Sequence, residues 1–305
     1  MGIRHSTGVR CSRRSDGLLL VAAAIWGFAF VAQRMGMEHV GPFTFNGIRF
    51  ALGATVLLPI VWWFGRSHRP KPGKNILGGG LAAGLLLFMG ASLQQIGLVT
   101  TTAGNAGFIT GLYIILVPLF GLFLGARTRP GTAAGAVLAF TGLYLLSVRD
   151  GFHMASGDFL VFIGAFFWAG HVQLIGRLAR RTDTLKLAVV QFSVCAMLSM
   201  GFAIALETVT VEGIRAAAIP ILYGGLISVG IAYTLQIAGQ KGARPSHAAI
   251  ILSLEAVFAA LGGWLILGES LTPRSLAGAA LMLAGMVISQ VWLRTKGSAG
   301  KMHNI

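Results

Sequence analysis

Long apolar runs separated by short basic gaps make up most of this chain. Residues 17–33 contain no Asp, Glu, Lys or Arg, and residues 39–65 are interrupted only by Arg49. Residues 75–126 are charge-free for 52 positions, too long for one helix and right for two, with the polar turn Thr100-Thr101-Thr102 dividing them. Further runs cover 130–148, 159–176, 187–206, 216–240, 245–268 (broken only by Glu255) and 275–293. A bilayer core about 30 Å thick takes ~20 apolar residues per helix. The pattern therefore predicts an all-α membrane protein of ten transmembrane helices with short connections.

Composition agrees. Of 305 residues, 55% are hydrophobic and 11% charged, against roughly 25% charged in soluble domains. Forty-three glycines with nine prolines suit closely packed membrane helices. The two cysteines, Cys11 and Cys195, lie far apart in sequence and offer neither a disulfide framework nor a Cys-type metal site. The net charge of +15 raises nucleic acid as a partner, but Lys and Arg sit in the gaps between apolar runs rather than on one stripe. That placement signals orientation in a bilayer, so membrane lipid is the expected surrounding, with no nucleic acid and no cofactor.

Arg10, Arg13 and Arg14 before an apolar run, with Ala22-Ala23-Ala24 beyond, have the outline of a secretion signal. The apolar stretch before those alanines is only Leu18–Val21, shorter than a signal needs, so the first helix is expected to be retained. Met1-Gly2 with Ser6 matches a myristoylation pattern by chance. With the N-terminus inside, the inner segments carry 19 Lys and Arg and the outer segments carry 4. The bias predicts a multi-pass protein with both termini in the cytoplasm.

The chain also repeats itself at an offset of 143 residues. Gly27 pairs with Gly170, Arg34 with Arg177, Ala106 with Ala249, Gly125 with Gly268 and Pro130 with Pro273. Ala134-Gly135-Ala136 pairs with Ala277-Gly278-Ala279, Leu138 with Leu281, and Gly142 with Gly285. Each half holds five helices, an odd number, so the second half enters the membrane from the opposite side. Such inverted repeats are typical of secondary transporters. The expected organisation is a basic tail at 1–16, repeats at 17–148 and 157–293, an external linker at 149–156 and a tail at 294–305. Helices 5 and 10, whose glycines recur two turns apart, are expected to pack against each other.

Between about residues 17 and 293 the chain resembles the EamA family of the drug/metabolite transporter superfamily. The resemblance rests on Trp26-Gly27 with Phe30, Pro42 with Arg49-Phe50, and Thr101-Thr102-Ala103-Gly104-Asn105-Ala106-Gly107-Phe108 followed by Pro118. It continues in Gly157-Asp158, Phe167-Trp168-Ala169, Ser253-Leu254-Glu255-Ala256-Val257-Phe258-Ala259 and Gly268-Glu269. The family usually has proline after the glutamate, where this chain has Ala256. A proline kink is therefore expected in helix 4, at Pro118, and not in helix 9. The resemblance implies a secondary-active exporter of small metabolites, amino-acid-like, or drugs, across the cytoplasmic (inner) membrane. It also implies a central cavity between the halves, with helices 1, 3, 4, 6, 8 and 9 contributing.

Candidate residues for that cavity are Trp26, Phe30, Gln95, Asn105, Trp168, His171, Tyr233, Gln236 and Glu255. Glu255 lies ~13 Å into its helix, where an ionised carboxylate costs at least ~2.5–3.5 kcal/mol. Its repeat counterpart is Leu112, so the fold itself does not require an acid there. Three roles are open to it: coupling to protons or binding a cation, a structural hydrogen bond, and a pair with Arg49. Arg49 in turn is a candidate for a substrate carboxylate, for an acid partner, or for snorkelling, with Asn46 one turn away. His171 is a candidate for proton relay or for a plain helix–helix hydrogen bond, and His247, at the inner end of helix 9, for an inner proton path or for a solvated helix end. Gln94, Gln95, Gln236 and Gln240 serve equally as substrate contacts or as interhelical glue.

Rival classes find little support. No H-E-x-x-H, G-x-S-x-G or Walker motif occurs. An intramembrane hydrolase would have to use Ser92, Ser228 or Ser253 with His171 or His247, and no spacing favours one. A passive channel would show rings of like residues, whereas the polar residues here differ between the halves.

Overall fold

A computed structural model describes residues 13–65, 76–125, 130–147 and 156–299. The start of the N-terminal tail, the gaps holding Arg66–Lys74 and Arg127–Arg129, the 149–155 linker and the last residues lie outside the described residues. The described residues form helices and no strand. They are α1 (Arg13–Gly36), α2 (Pro42–Gly65), α3 (Ile76–Gly97), α4 (Ala103–Phe123), α5 (Pro130–Ser147), α6 (Ser156–Leu178), α7 (Thr184–Leu206), α8 (Ala218–Gly242), α9 (Pro245–Leu267) and α10 (Pro273–Ala299). A six-residue helix, Val211–Ala216, precedes α8. Eight of these, α1–α4 and α6–α9, are long and apolar enough to cross a membrane. The apolar parts of α5 and α10, Pro130–Leu145 and Pro273–Ser289, are shorter.

The sequence writes the helix ends. Pro42, Pro130, Pro245 and Pro273 open α2, α5, α9 and α10, the first-turn position where a missing N–H costs nothing. Thr102 caps α4 by accepting from the Asn105 N–H at 3.1 Å, and Asp183 caps α7 by accepting from Leu185 and Lys186. Gly125 after α4 and Gly268 after α9 adopt φ of 75° and 69°, a left-handed turn that glycine takes without strain. These two glycines are repeat partners, as are the prolines that follow them. The first helix starts at Arg13, earlier than its apolar run, because Asp16 in the added turn finds a buried partner in His247.

Helix contacts obey the repeat. The contact of α1 with α9 is matched by α6 with α4, that of α3 with α6 by α8 with α1, and that of α3 with α7 by α8 with α2. The α2–α7 and α5–α10 pairs are their own counterparts, and α5–α10 is the most extensive contact among the described residues. There the glycines meet crosswise: a Cβ on Gly135 would lie 2.6 Å from the Gly285 carbonyl oxygen, and one on Gly142 2.5 Å from that of Gly278. Only glycine permits this backbone approach. On the outer faces, Trp63, Leu77, Phe123, Val137, Met197 and Ile204 are exposed, as lipid-facing side chains are.

Two helices break at equivalent levels. In α4 the break falls at Leu112, between Gly111 and Tyr113, and in α9 it falls at Ser253-Leu254. The expectation of a kink in α4 alone is thus corrected. No proline is needed in α9, because Ser253 Oγ bonds back to the Ile250 carbonyl at 2.9 Å, a contact that bends helices. The bonds from Leu254 N to Ile251 O and from Ala256 N to Ser253 O then tighten the chain to three-residue spacing. Midway along α8, Tyr223–Tyr233 forms a π-helix, an uncommon geometry that often marks functional segments.

Candidate functional site

The breaks of α4 and α9 and the π-segment of α8 surround one cavity between the halves. About 470 Å³ of space free of protein atoms lies in and at the mouth of this cavity, part of it open to solvent. Its wall is Trp26, Phe30 and Gln33 from α1, Arg49 from α2, Gln94 from α3, Thr110 and Tyr113 from α4, and Trp168 and Val172 from α6. Ser228, Tyr233 and Gln236 from α8, with Leu252 and Glu255 from α9, complete it.

One side of the wall is aromatic. The rings of Trp26 and Tyr233 lie 4.6 Å apart, and Trp168 stacks near Tyr233 at 6.3 Å. Trp26 is fixed by its Nε1–H, which donates to the Ser228 carbonyl at 3.3 Å. That carbonyl belongs to the π-segment, so the wide helix turn sets the orientation of the indole.

A second side is an amide cluster centred on Gln94. Its Oε1 accepts from Trp168 Nε1 at 3.0 Å and from Thr110 Oγ1 at 3.3 Å, while its Nε2 donates to Gln33 Oε1 at 3.1 Å. One side chain thereby ties α1, α3, α4 and α6 together.

The charges occupy a third side. Arg49 is 3% exposed, its Nε donates to Asn46 Oδ1 at 2.9 Å, and its guanidinium lies 4.9 Å from the centre of the Phe50 ring. Asn46 is held in turn by the Ala91 carbonyl at 3.1 Å. Glu255 is 4% exposed, stands beside the Tyr113 hydroxyl, and forms no salt bridge with Arg49. The pairing of Arg49 with Glu255 that the sequence left open is not formed. Glu255 Oε1, Tyr113 Oη and Gln236 Oε1 are buried and lack hydrogen-bond partners among the described residues. A buried polar atom without a partner is costly, and here three of them line the same cavity.

Trp26, Phe30, Trp168, Tyr233, Gln236, Glu255 and Arg49 thus come together on one wall. Gln95, Asn105 and His171 stand off it. Gln95 donates to the Gln33 carbonyl behind the amide cluster, and Asn105 lies in the capped first turn of α4. His171 sits behind Tyr233 and Trp168 with Nε2 2.9 Å from Gln191 Oε1. Sequence reasoning did not select Gln33, Tyr113 or Thr110, and it named Ser228 only for a rival hydrolase. Tyr113 had a readable signal, since it follows Leu112, the repeat counterpart of Glu255. Gln33 had the opposite signal, standing at the edge of its apolar run. Among the described residues no group of three or more His, Cys, Asp or Glu is placed to hold a metal ion.

The EamA-like transporter family matches this chain twice, at residues 13–148 and 155–290. The chain belongs to that family. Its two matches fall on the two halves that share helix stops and contacts. A family relative, an uncharacterized transporter of Archaeoglobus fulgidus, is 34% identical over 284 residues, covering 92% of this chain and 87% of the relative. A probable amino-acid metabolite efflux pump of Salmonella typhimurium is 27% identical, covering 94% and 98%. The uncharacterized inner membrane transporter YedA of Escherichia coli is 26% identical, covering 92% and 90%. A crystal structure of a 23% identical protein shares the fold at a TM-score of 0.75, covering 93% of this chain and 99% of the other. This EamA-family chain is a multi-pass integral membrane protein of transporter type.

Proposed function

We propose that this chain exports small amine-bearing metabolites, amino-acid-like in size, or drugs of similar chemistry, by alternating access. The observation that carries this reading is the pair of opposite buried charges that share one cavity without pairing. Glu255 keeps a buried oxygen without a partner, and a substrate ammonium is the group that would supply one. Arg49 offers its guanidinium fork to a carboxylate. Between them Trp26, Trp168 and Tyr233 present flat faces to an apolar side chain and, by cation–π attraction, to the ammonium. The relative named as a probable amino-acid metabolite efflux pump supports the same substrate class.

On this reading ten helices cross the cytoplasmic membrane, with both termini inside. The repeats at 17–148 and 157–293 exchange conformations around the cavity. The breaks at Leu112 and Ser253-Leu254 are the points where α4 and α9 bend. When substrate leaves, a proton takes its place on Glu255, which couples outward transport to inward proton movement. No covalent chemistry is involved.

Counterflow in proteoliposomes tests the reading. The purified chain should drive saturable exchange of radiolabelled amino acids, and an inward proton gradient should accelerate it. Product formation without flux would replace the transporter by an enzyme.

A further inference from the structure

Away from the cavity, three polar side chains from three helices meet in the packed interior. They lie at the end of the molecule that carries the α6–α7 and α8–α9 turns. His247, in the first turn of α9, is fully buried. Its Nε2 lies 3.0 Å from Asp16 Oδ1 on α1, and its Nδ1 lies 2.9 Å from Ser289 Oγ on α10. Ser289 is fully buried and Asp16 is 7% exposed. The next turn of α9 faces α4 and α5 through apolar contacts of Ile250 with Ile114, Ala136 and Ala139.

The other charged groups at this end are mostly cations. Among the described residues they are Arg13 and Arg14 on α1, Arg177 on α6, Arg180 and Arg181 in the α6–α7 turn, Lys186 on α7, Lys241 on α8 and Arg244 before α9, with Arg180 donating to the Ala243 carbonyl at 3.0 Å. Asp183 is occupied in capping α7. Asp16 and His247 stand at ion-pair distance, 3.0 Å.

The geometry serves both charge states of the imidazole. When it is neutral, Nε2–H donates to Asp16 and the Ser289 hydroxyl donates to Nδ1. When it is protonated, both ring nitrogens donate, and only the serine hydroxyl has to rotate. No hydrogen bond is lost on gaining the proton, and the bond to Asp16, which already accepts as a carboxylate, becomes an ion pair. His171 has no such arrangement, because its Nδ1 is without a partner. The order Asp–His–Ser is also that of a nucleophile triad, but Ser289 is sealed from the cavity and reaches no substrate. The repeat counterparts of Asp16, His247 and Ser289 are Phe159, Gly104 and Leu146, so the opposite end cannot build the same cluster.

We propose that Asp16, His247 and Ser289 form a second proton-accepting site, separate from Glu255, which clamps α1, α9 and α10 together when it holds the proton. His247 stands on one half of α9 and Glu255 on the other, with the break between them. The two sites therefore bias the two halves of the helix independently.

Heat unfolding of the full-length chain in lipid nanodiscs tests this, followed by tryptophan fluorescence at pH ~6 and ~8, either side of the ordinary histidine range. With Glu255→Gln as the background, so that Glu255 adds no pH dependence of its own, the protein should lose about 3 °C in midpoint between the lower and the higher pH, the shift for roughly a tenfold change in equilibrium. In that background His247→Gln and Asp16→Asn should each abolish the difference. Because Glu255→Gln reads the transport reading separately, failure of one leaves the other standing. If His247→Gln gives no folded protein, Asp16→Asn alone decides, because it keeps the shape of the cluster. A Glu255→Gln protein without pH dependence, or an Asp16→Asn variant in that background that retains it, overturns the proposal.

Discussion

Replacing Glu255 with glutamine changes charge at nearly constant shape, and the structure fixes what that change should do. Glu255 Oε1 has no partner among the described residues, and the carboxylate forms no salt bridge with Arg49. The substitution therefore breaks no ion pair and leaves no charge stranded. Folded yield and unfolding midpoint should stay close to wild type, within about 1 kcal/mol. A structural carboxylate would instead forfeit the ~1–3 kcal/mol that accompanies a lost buried hydrogen bond. Transport should respond strongly. A charge-assisted contact to a substrate ammonium is worth about 1.5–3 kcal/mol, or roughly 10–150-fold in apparent affinity. The assay is uptake into proteoliposomes with and without a pH gradient, alongside the unfolding midpoint of the same preparation. The gradient-driven component should vanish, while passive exchange survives at weakened affinity. A well-folded Glu255→Gln protein with unimpaired gradient-driven transport would refute the reasoning.

Other perturbations probe neighbouring parts of the account. Gly285→Leu should collapse folded yield, because even a Cβ there would lie 2.6 Å from the Gly135 carbonyl oxygen; wild-type yield with altered substrate preference would contradict the packing of α5 on α10. Gln94→Leu removes the partner of Gln33, Trp168 and Thr110 together and should cost about 2–4 kcal/mol of stability as well as transport, read from unfolding and flux on one preparation. Glu207→Ala should destabilise the start of α2 by about 1–2 kcal/mol, since its carboxylate accepts from Phe43 N, Thr44 N and Thr44 Oγ1 at 2.7 Å each. Hydrogen exchange localised to residues 42–46 would measure that loss. Arg49→Lys keeps the charge but not the planar fork and should weaken a carboxylate-bearing substrate about tenfold in competition assays.

The helices were legible because burial in lipid demands uninterrupted apolar runs, and turns demand charge or proline. The repeat was legible because Gly125 and Gly268 keep the same left-handed stop and Pro130 and Pro273 the same start. The α5–α10 contact followed from glycines spaced to let two backbones meet. Four features were not readable. The break in α9 depends on the Ser253 side chain bonding its own helix, which sequence does not distinguish from a solvated serine. The π-segment of α8 has no composition that sets it apart. The membership of the cavity wall depends on helix rotation, and low amphipathic contrast hides rotation when both lipid and core are apolar. Gln94 and Gln95 are adjacent and chemically identical, yet one lines the cavity and the other does not. His247 read as a solvated helix end because its partners, Asp16 and Ser289, come from opposite ends of the chain.

The central claim is that one cavity presents separate sites for an ammonium and a carboxylate. Competition against counterflow of radiolabelled phenylalanine tests it most directly, with phenethylamine and phenylpropanoate as the competitors that each lack one pole. Unlabelled phenylalanine should compete best, and loss of either pole should weaken competition by about tenfold or more, as expected for one charge-assisted contact. Glu255→Gln should erase the penalty for lacking the amine and leave the other intact. Equal competition by all three compounds, or no saturable counterflow of any, would contradict the account.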